Sequence, residues 1–208
     1  MLGRRNPFIA REGIPLVLGA GVLCWYASRY LEFPWFVAAA LLFVVLLLIF
    51  RDPRRRIPAI PLGVVSPVDG RVLKIDVATT AVLHGKARRV LIRVNAFGTY
   101  TARSPVEGKV MDLNSIADEL KVGYPTNALW MQTDEGDDIV LQFGHYRFGL
   151  PPKSLTRYGE RLGQGTRCAY LRLTRLAEVH LPFEAKITVE PGQRLVAGRD
   201  VIARLPPP

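Results

Sequence analysis

The sequence is poor in the residues that build metal centres, disulfides and acid–base pairs. Its 208 residues include two cysteines, three histidines and three methionines. Cys24 lies in an apolar block and Cys168 far downstream, so there is no zinc-ligand spacing, no metal site is expected, and a disulfide between them is implausible. Both read as small apolar residues of a reducing compartment. Bulky Val22 and Leu23 before Cys24 argue against lipidation. Serine is missing from the C-terminal part, with none after Ser154, and no Gly-Ser dipeptide occurs anywhere. Acidic residues are also short: 18 Asp and Glu stand against 28 Lys and Arg, a formal net charge of +10.

That excess points to an anionic partner, nucleic acid or an acidic lipid surface. The distribution favours lipid. Arg4, Arg5 and Arg11 precede an apolar block, and Arg51, Arg54, Arg55 and Arg56 follow it. No basic motif interleaved with aromatics supports nucleic acid. The apolar block has two parts, 13–28 and 33–50, separated by a turn over 29–34 that holds Arg29 and Glu32. A bilayer core asks for about 20 apolar residues per helix, which the second part nearly reaches and the first does not. We read a transmembrane helical hairpin, with a half-inserted first segment as its rival. Arginines at both outer ends place the rest of the chain on the cytoplasmic side of the inner membrane. Trp25, Tyr26, Tyr30 and Trp35 then sit at the far interface. A cleaved signal peptide fits poorly, because a second apolar run follows at once.

A basic, proline-rich linker spans 51–65, and the remainder, 66–208, reads as a mainly β domain. Strand-like runs occur at 70–77, 88–94, 108–113, 139–143, 166–173, 178–181, 185–189 and 201–205. Turn signals between them include His84-Gly85, Glu135-Gly136, Arg161-Leu162-Gly163 and Pro191-Gly192. Only 114–121 looks helical. Two runs are near copies: Ser66-Pro67-Val68-Asp69-Gly70-Arg71-Val72 and Ser104-Pro105-Val106-Glu107-Gly108-Lys109-Val110. Each reads as a tight turn feeding a strand, Pro presetting φ and Gly permitting the reversal. The repeat implies a compact β domain of two similar halves. Its C-terminal stretch 189–198 has the look of the hairpins in lipoyl- and biotin-carrier barrel-sandwich domains.

Five elements in order resemble the short, membrane-anchored phosphatidylserine decarboxylases. Phe50-Arg51-Asp52-Pro53-Arg54 matches that family's phenylalanine-arginine-aspartate-proline-x-arginine element, and Ser66-Pro67-Val68-Asp69-Gly70 its serine-proline-x-aspartate-glycine. Asn95-Ala96-Phe97 through Val110 matches the central block. Glu178-Val179-His180-Leu181-Pro182 and 191–198 match the C-terminal end. The resemblance implies an enzyme that makes its own cofactor. A serine attacks the peptide bond preceding it, elimination splits the chain, and a pyruvoyl group is left to act as electron sink for loss of carbon dioxide.

Carried over residue by residue, the resemblance implies a damaged site. The family's activating aspartate falls on Asp69, which read alone is an ordinary turn aspartate before glycine. The family's histidine falls on Tyr100, and a phenol with an ordinary pKa near ~10 is a poor base at neutral pH. The Gly-Ser cleavage pair falls on Thr174 and Arg175. Arginine supplies no hydroxyl, and elimination from threonine leaves an extra methyl, so no pyruvoyl cofactor is expected. Arg103 is a candidate for a lipid phosphate or carboxylate, and His145 a second candidate substrate-binding residue. His84 and His180 read as structural.

These observations point to a phosphatidylserine-decarboxylase-like pseudoenzyme of phospholipid (phosphatidylethanolamine) metabolism. Its expected partners are an anionic membrane phospholipid and a membrane enzyme or a second copy of itself. The alternatives are an active carboxy-lyase with atypical processing and a membrane-tethered barrel-sandwich adaptor.

Overall fold

The computed structural model describes residues 8–80, 85–112, 127–146 and 150–207. The chain divides into two compact units, Met1–Arg54 and Arg55–Pro208.

The first unit is a helical hairpin. A 3-10 turn, Arg11–Gly13, leads into α1 (Ile14–Tyr30), and α2 is Phe33–Ile49. Pro15 and Pro34 occupy the first turn of their helices, where a missing N–H costs nothing. Small residues make the seam: Ala20, Ala27 and Ala39 are buried, and Gly21 lies against the Phe43 ring. The ends close through Ala10 N–H to the Phe50 carbonyl (2.8 Å) and Asp52 N–H to that of Phe8 (2.7 Å). Gly13 is required there, since a Cβ on it would lie 2.1 Å from Phe50 Cγ. The expected 29–34 turn shrinks to Leu31 and Glu32, because Arg29 and Tyr30 continue α1 until Leu31 goes extended. Each helix has 17 residues, about 25 Å long against a hydrocarbon core of about 30 Å. Among the described residues no helix is long and apolar enough to cross a membrane, so the spanning part of the expected hairpin finds no support.

The second unit is mainly β, as expected. Its strands are β1 (Gly63–Val65), β2 (Gly70–Thr80), β3 (Gly85–Val94), β4 (Thr101–Arg103), β5 (Gly108–Asp112), β6 (Asn127–Gln132) and β7 (Asp138–Tyr146). They continue with β8 (Lys153–Ser154), β9 (Arg161–Leu162), β10 (Arg167–Tyr170), β11 (Thr174–Pro182), β12 (Lys186–Ile187), β13 (Arg194–Leu195) and β14 (Val201–Arg204). An antiparallel sheet runs β13-β2-β3-β11-β7-β6-β5-β9, and two smaller sheets run β1-β14-β12 and β4-β10-β8. Alternation sets the faces: Val90 and Ile92 of β3 and Ala177, Val179 and Leu181 of β11 point into the core. Arg89, Glu178 and Asp76 of β2 lie on the other side, where Arg89 grips Asp76 through two bonds of 2.8 and 2.7 Å.

The sequence repeat is a structural repeat. Ser66 Oγ donates to the Val68 carbonyl (2.8 Å) and Ser104 Oγ to that of Val106 (2.6 Å). The copies trade backbone bonds: Val65 N–H to Pro105 O (2.9 Å) and Arg103 N–H to Pro67 O (2.8 Å). A Cβ on Gly70 would lie 2.3 Å from Arg93 O, and one on Gly108 the same 2.3 Å from Gln132 O. A second duplication shares the symmetry. Segments 158–165 and 191–198 pair β9 with β5 and β13 with β2 in the same way, Leu162 opposite Gly108 and Leu195 opposite Gly70. So Arg161-Leu162, expected in a turn, is a strand; a two-residue pairing leaves no periodicity to read. The expected run 166–173 ends at Tyr170, and the run 178–181 begins instead at Thr174. The expected helix at 114–121 and His84 lie outside the described residues.

Candidate functional site

Asp69 sits at the turn before β2 with both carboxylate oxygens engaged. Ala197 N–H donates to Oδ1 (2.7 Å), while Thr99 N–H (3.0 Å) and Arg55 Nη2 (3.1 Å) donate to Oδ2. The side chain is 13% exposed. Gly98 allows the 95–100 loop to lie on Asp69, since a Cβ there would come within 2.7 Å of the Asp69 Cβ. Asn95 N–H closes the contact on the Asp69 carbonyl at 2.8 Å. Asp69 therefore clamps three segments, 55, 95–99 and 197, together. Arg55 is a member of this site that the sequence reading did not single out. The signal was present: in the phenylalanine-arginine-aspartate-proline-x-arginine element the closing arginine falls on Arg55, half-buried between exposed Arg54 and Arg56.

Hydrogen bonds then lead from Asp69 toward Thr174 and Arg175. Thr99, bonded to Asp69, precedes Tyr100, whose carbonyl accepts from Leu171 N–H (2.9 Å). The Tyr100 ring lies tilted on that of Tyr170 with centroids 5.8 Å apart. The Leu171 carbonyl accepts from Thr174 N–H (3.0 Å) and from Thr174 Oγ1 (2.5 Å). The segments carrying Asp69, Tyr100 and Thr174 are thus connected through Thr99 and Leu171. Between Leu171 and Thr174 the chain turns through Arg172, which has φ of 50° and whose Nη1 reaches the Pro151 carbonyl at 3.3 Å.

Arg175 follows in β11 and is exposed. His145, exposed with φ of 52°, lies opposite it by register, between the Tyr146–Thr174 and Gly144–Leu176 pairs. Arg103 is placed differently. It is 2% exposed, its Nη1 donates to the Gly165 carbonyl (3.2 Å), and its Cδ packs where a Gly198 Cβ would be. It fills the space between the matching Gly165 and Gly198 turns. His180 is buried, with Nε2 3.5 Å from Glu178 Oε2.

Next to the Arg172 turn is a cavity of about 320 Å³ whose walls include Phe143, Pro152, Lys153, Cys168, Ala169 and Arg172. Burial pushes the Cys168 thiol up to about 12, so it stays protonated and unreactive at neutral pH. Among the described residues no cluster of three or more His, Cys, Asp or Glu is placed to hold a metal ion. Of the 174–175 pair only Thr174 carries a hydroxyl, and its proton is engaged by the Leu171 carbonyl.

No family model matches the chain. Individual relatives do. A phosphatidylserine decarboxylase proenzyme of Nitrosomonas eutropha is 31% identical over 210 residues, covering 95% of each chain. Its namesake in Nitrosomonas europaea is 30% identical over the same span and coverage. One from Burkholderia ambifaria is 31% identical over 214 residues, 96% of this chain and 97% of the relative. With about 31% identity running over 95% of both partners, this chain belongs to the phosphatidylserine decarboxylase family.

Proposed function

We propose that this protein is a member of the family that has kept the scaffold and lost self-cleavage: a phospholipid-binding or regulatory pseudoenzyme of phosphatidylserine and phosphatidylethanolamine metabolism, without a pyruvoyl group. The observation that carries this reading is the chemistry at 174–175. The relatives are named proenzymes, and a proenzyme of this kind needs a serine hydroxyl beside a yielding peptide bond. Here Arg175 has no hydroxyl, and its backbone runs in a strand. Thr174 directs its own hydroxyl onto the Leu171 carbonyl, away from attack on the preceding bond. Tyr100 in place of the family histidine removes the residue suited to taking up the hydroxyl proton. With both Asp69 oxygens engaged in structural bonds, the remaining acid–base set favours a clamp over a catalyst.

The same reading makes the helical hairpin the membrane anchor, with the β domain on the cytoplasmic side. Its support is the exposed apolar surface, Phe33 at 76%, Leu18 at 65% and Trp35 at 64%, together with exposed Arg51, Arg54 and Arg56 beyond α2. At about 25 Å, helices of this length suit partial insertion as well as crossing a thinned bilayer. The intertwined halves support a barrel-sandwich kinship for the β domain. On this reading the anionic lipid headgroup enters the cavity, where Lys153 and Arg172 stand among apolar walls.

The test is turnover. The purified full chain, supplied with phosphatidylserine in mixed micelles, releases no carbon dioxide and forms no phosphatidylethanolamine on this reading. Sustained turnover abolished by Thr174→Val would instead establish the active alternative through Thr174.

A further inference from the structure

The two ends of the eight-stranded sheet differ in chemistry. At one end β3 and β7 finish and β11 begins, with Val94 next to β11's first residues and Tyr146 opposite Thr174. Segments 95–100, 150–153 and 171–175 meet there, joined by the Leu171–Tyr100 bond and by Arg172 on the Pro151 carbonyl. These three segments contain no Asp or Glu and supply Lys153, Arg172 and Arg175. Large apolar side chains stand out between the cations: Phe97 is 72% exposed, Leu150 46% and Leu173 41%. Exposed Arg93 and His145 add to the same end.

The opposite end is mixed in charge. The β6–β7 connection, the start of β7 and the turn after β11 carry Asp134, Glu135, Asp137, Asp138 and Glu184, while Arg161 pairs with Asp134 and Arg88 of β3 donates to the Phe183 carbonyl (2.8 Å). Burial, then the neighbouring Glu135, Asp138 and Glu184, push the Asp137 carboxyl up. Bulk water selects for neither arrangement. A basic rim set with bare aromatic and leucine tips matches the headgroup layer of an acidic bilayer, where each cation strengthens attachment about fivefold and apolar tips reach the acyl boundary.

We propose that the strand-end rim of Phe97, Leu150 and Leu173, with Lys153, Arg172 and Arg175, docks the β domain end-on against an anionic phospholipid bilayer. The mouth beside Arg172 then faces the headgroups, which gives the cavity direct access to lipid. The inference rests on the membrane reading above and adds a second contact, separate from the helices.

Hydrogen–deuterium exchange on the full chain reads the two contacts independently. The chain is reconstituted in vesicles of phosphatidylcholine, alone or with one-third phosphatidylglycerol, an anionic lipid distinct from the family's substrate. Docking slows the amides of 95–100 and 171–175 at least about fivefold in the anionic vesicles. Combining Phe97→Ser with Arg175→Glu, both at exposed positions, removes that slowing and leaves exchange in α1 and α2 unchanged. Equal rim exchange in both vesicles overturns the proposal, as does slowing that survives the double substitution. Slowing by soluble polyglutamate but not by vesicles assigns the rim to an acidic protein and overturns it too. Fast exchange in α1 and α2 with a protected rim would sink the helical anchor and leave the docking surface standing.

Discussion

Replacing Asp69 by alanine removes the acceptor of three donors at once. Two are backbone N–H groups, of Ala197 at 2.7 Å and Thr99 at 3.0 Å, and a hydrogen bond to a charged acceptor contributes about 1.5 kcal/mol or more. The third is Arg55, whose pairing is partly open to solvent (25% and 13% exposed) and adds at most about 1 kcal/mol. The sum is about 4 kcal/mol, a large part of the ~5–15 kcal/mol that holds an ordinary domain together. The repeat supplies an internal control. Glu107 stands at the matching place in the second copy, 61% exposed and paired with Arg161, itself 59% exposed, so Glu107→Ala costs less than about 1 kcal/mol. With a urea dependence of about 2 kcal/mol per molar, the unfolding midpoint falls about 2 M for Asp69→Ala and less than about 0.5 M for Glu107→Ala. Far-UV circular dichroism of the full chain in detergent measures both. Asp69→Asn keeps one acceptor oxygen and falls between. Equal midpoints for the two alanine variants would refute the structural role assigned to Asp69 and restore it as a candidate base.

Three further outcomes follow from the geometry. Gly70→Ala and Gly108→Ala each force a Cβ to within 2.3 Å of a neighbouring strand's carbonyl oxygen, so each costs about 2–3 kcal/mol in the same unfolding assay. In a Cys24→Ser background, Cys168, held protonated by burial, resists a thiol reagent at pH 8 until urea unfolds the domain; rapid native labelling would show the cavity open to the sulfur. Arg89 holds the Asp76 carboxyl well below the usual carboxylate range. That contribution is present above the unfolded value near ~3.9 and is lost as pH falls through the depressed folded one. Arg89→Met therefore loses more stability at pH 6 than at pH 2, measured by urea midpoints at the two values.

Much of the β domain was legible because its signals are local. Val-rich alternation marked β2, β3 and β7, and the Ser-Pro-Val repeat announced two related halves. What escaped shows why. β9 and β13 pair through only two residues each, and Arg161-Leu162 looks like a turn until its partner Gly108 is known. Thr174 joins β11 through partners 28 residues away at Tyr146, which no window along the chain contains. At the site, motif order pointed to Asp69, Tyr100 and the 174–175 pair, and in the fold a run of hydrogen bonds through Thr99 and Leu171 connects the segments that carry Asp69, Tyr100 and Thr174. Arg55 was visible in its motif yet indistinguishable from Arg54 and Arg56 by composition, because only folding buries one of the three. Arg103, expected at a ligand, lies buried between two glycine turns, a placement that follows the duplication's symmetry and that no window along the chain contains.

The central claim is that the family scaffold survives here without self-cleavage, and the intact mass of the purified full chain tests it most directly. The account predicts one species with the mass of all 208 residues, unchanged after prolonged incubation. Two fragments meeting at Thr174, the second bearing a keto acyl group in place of its amino terminus, would contradict it.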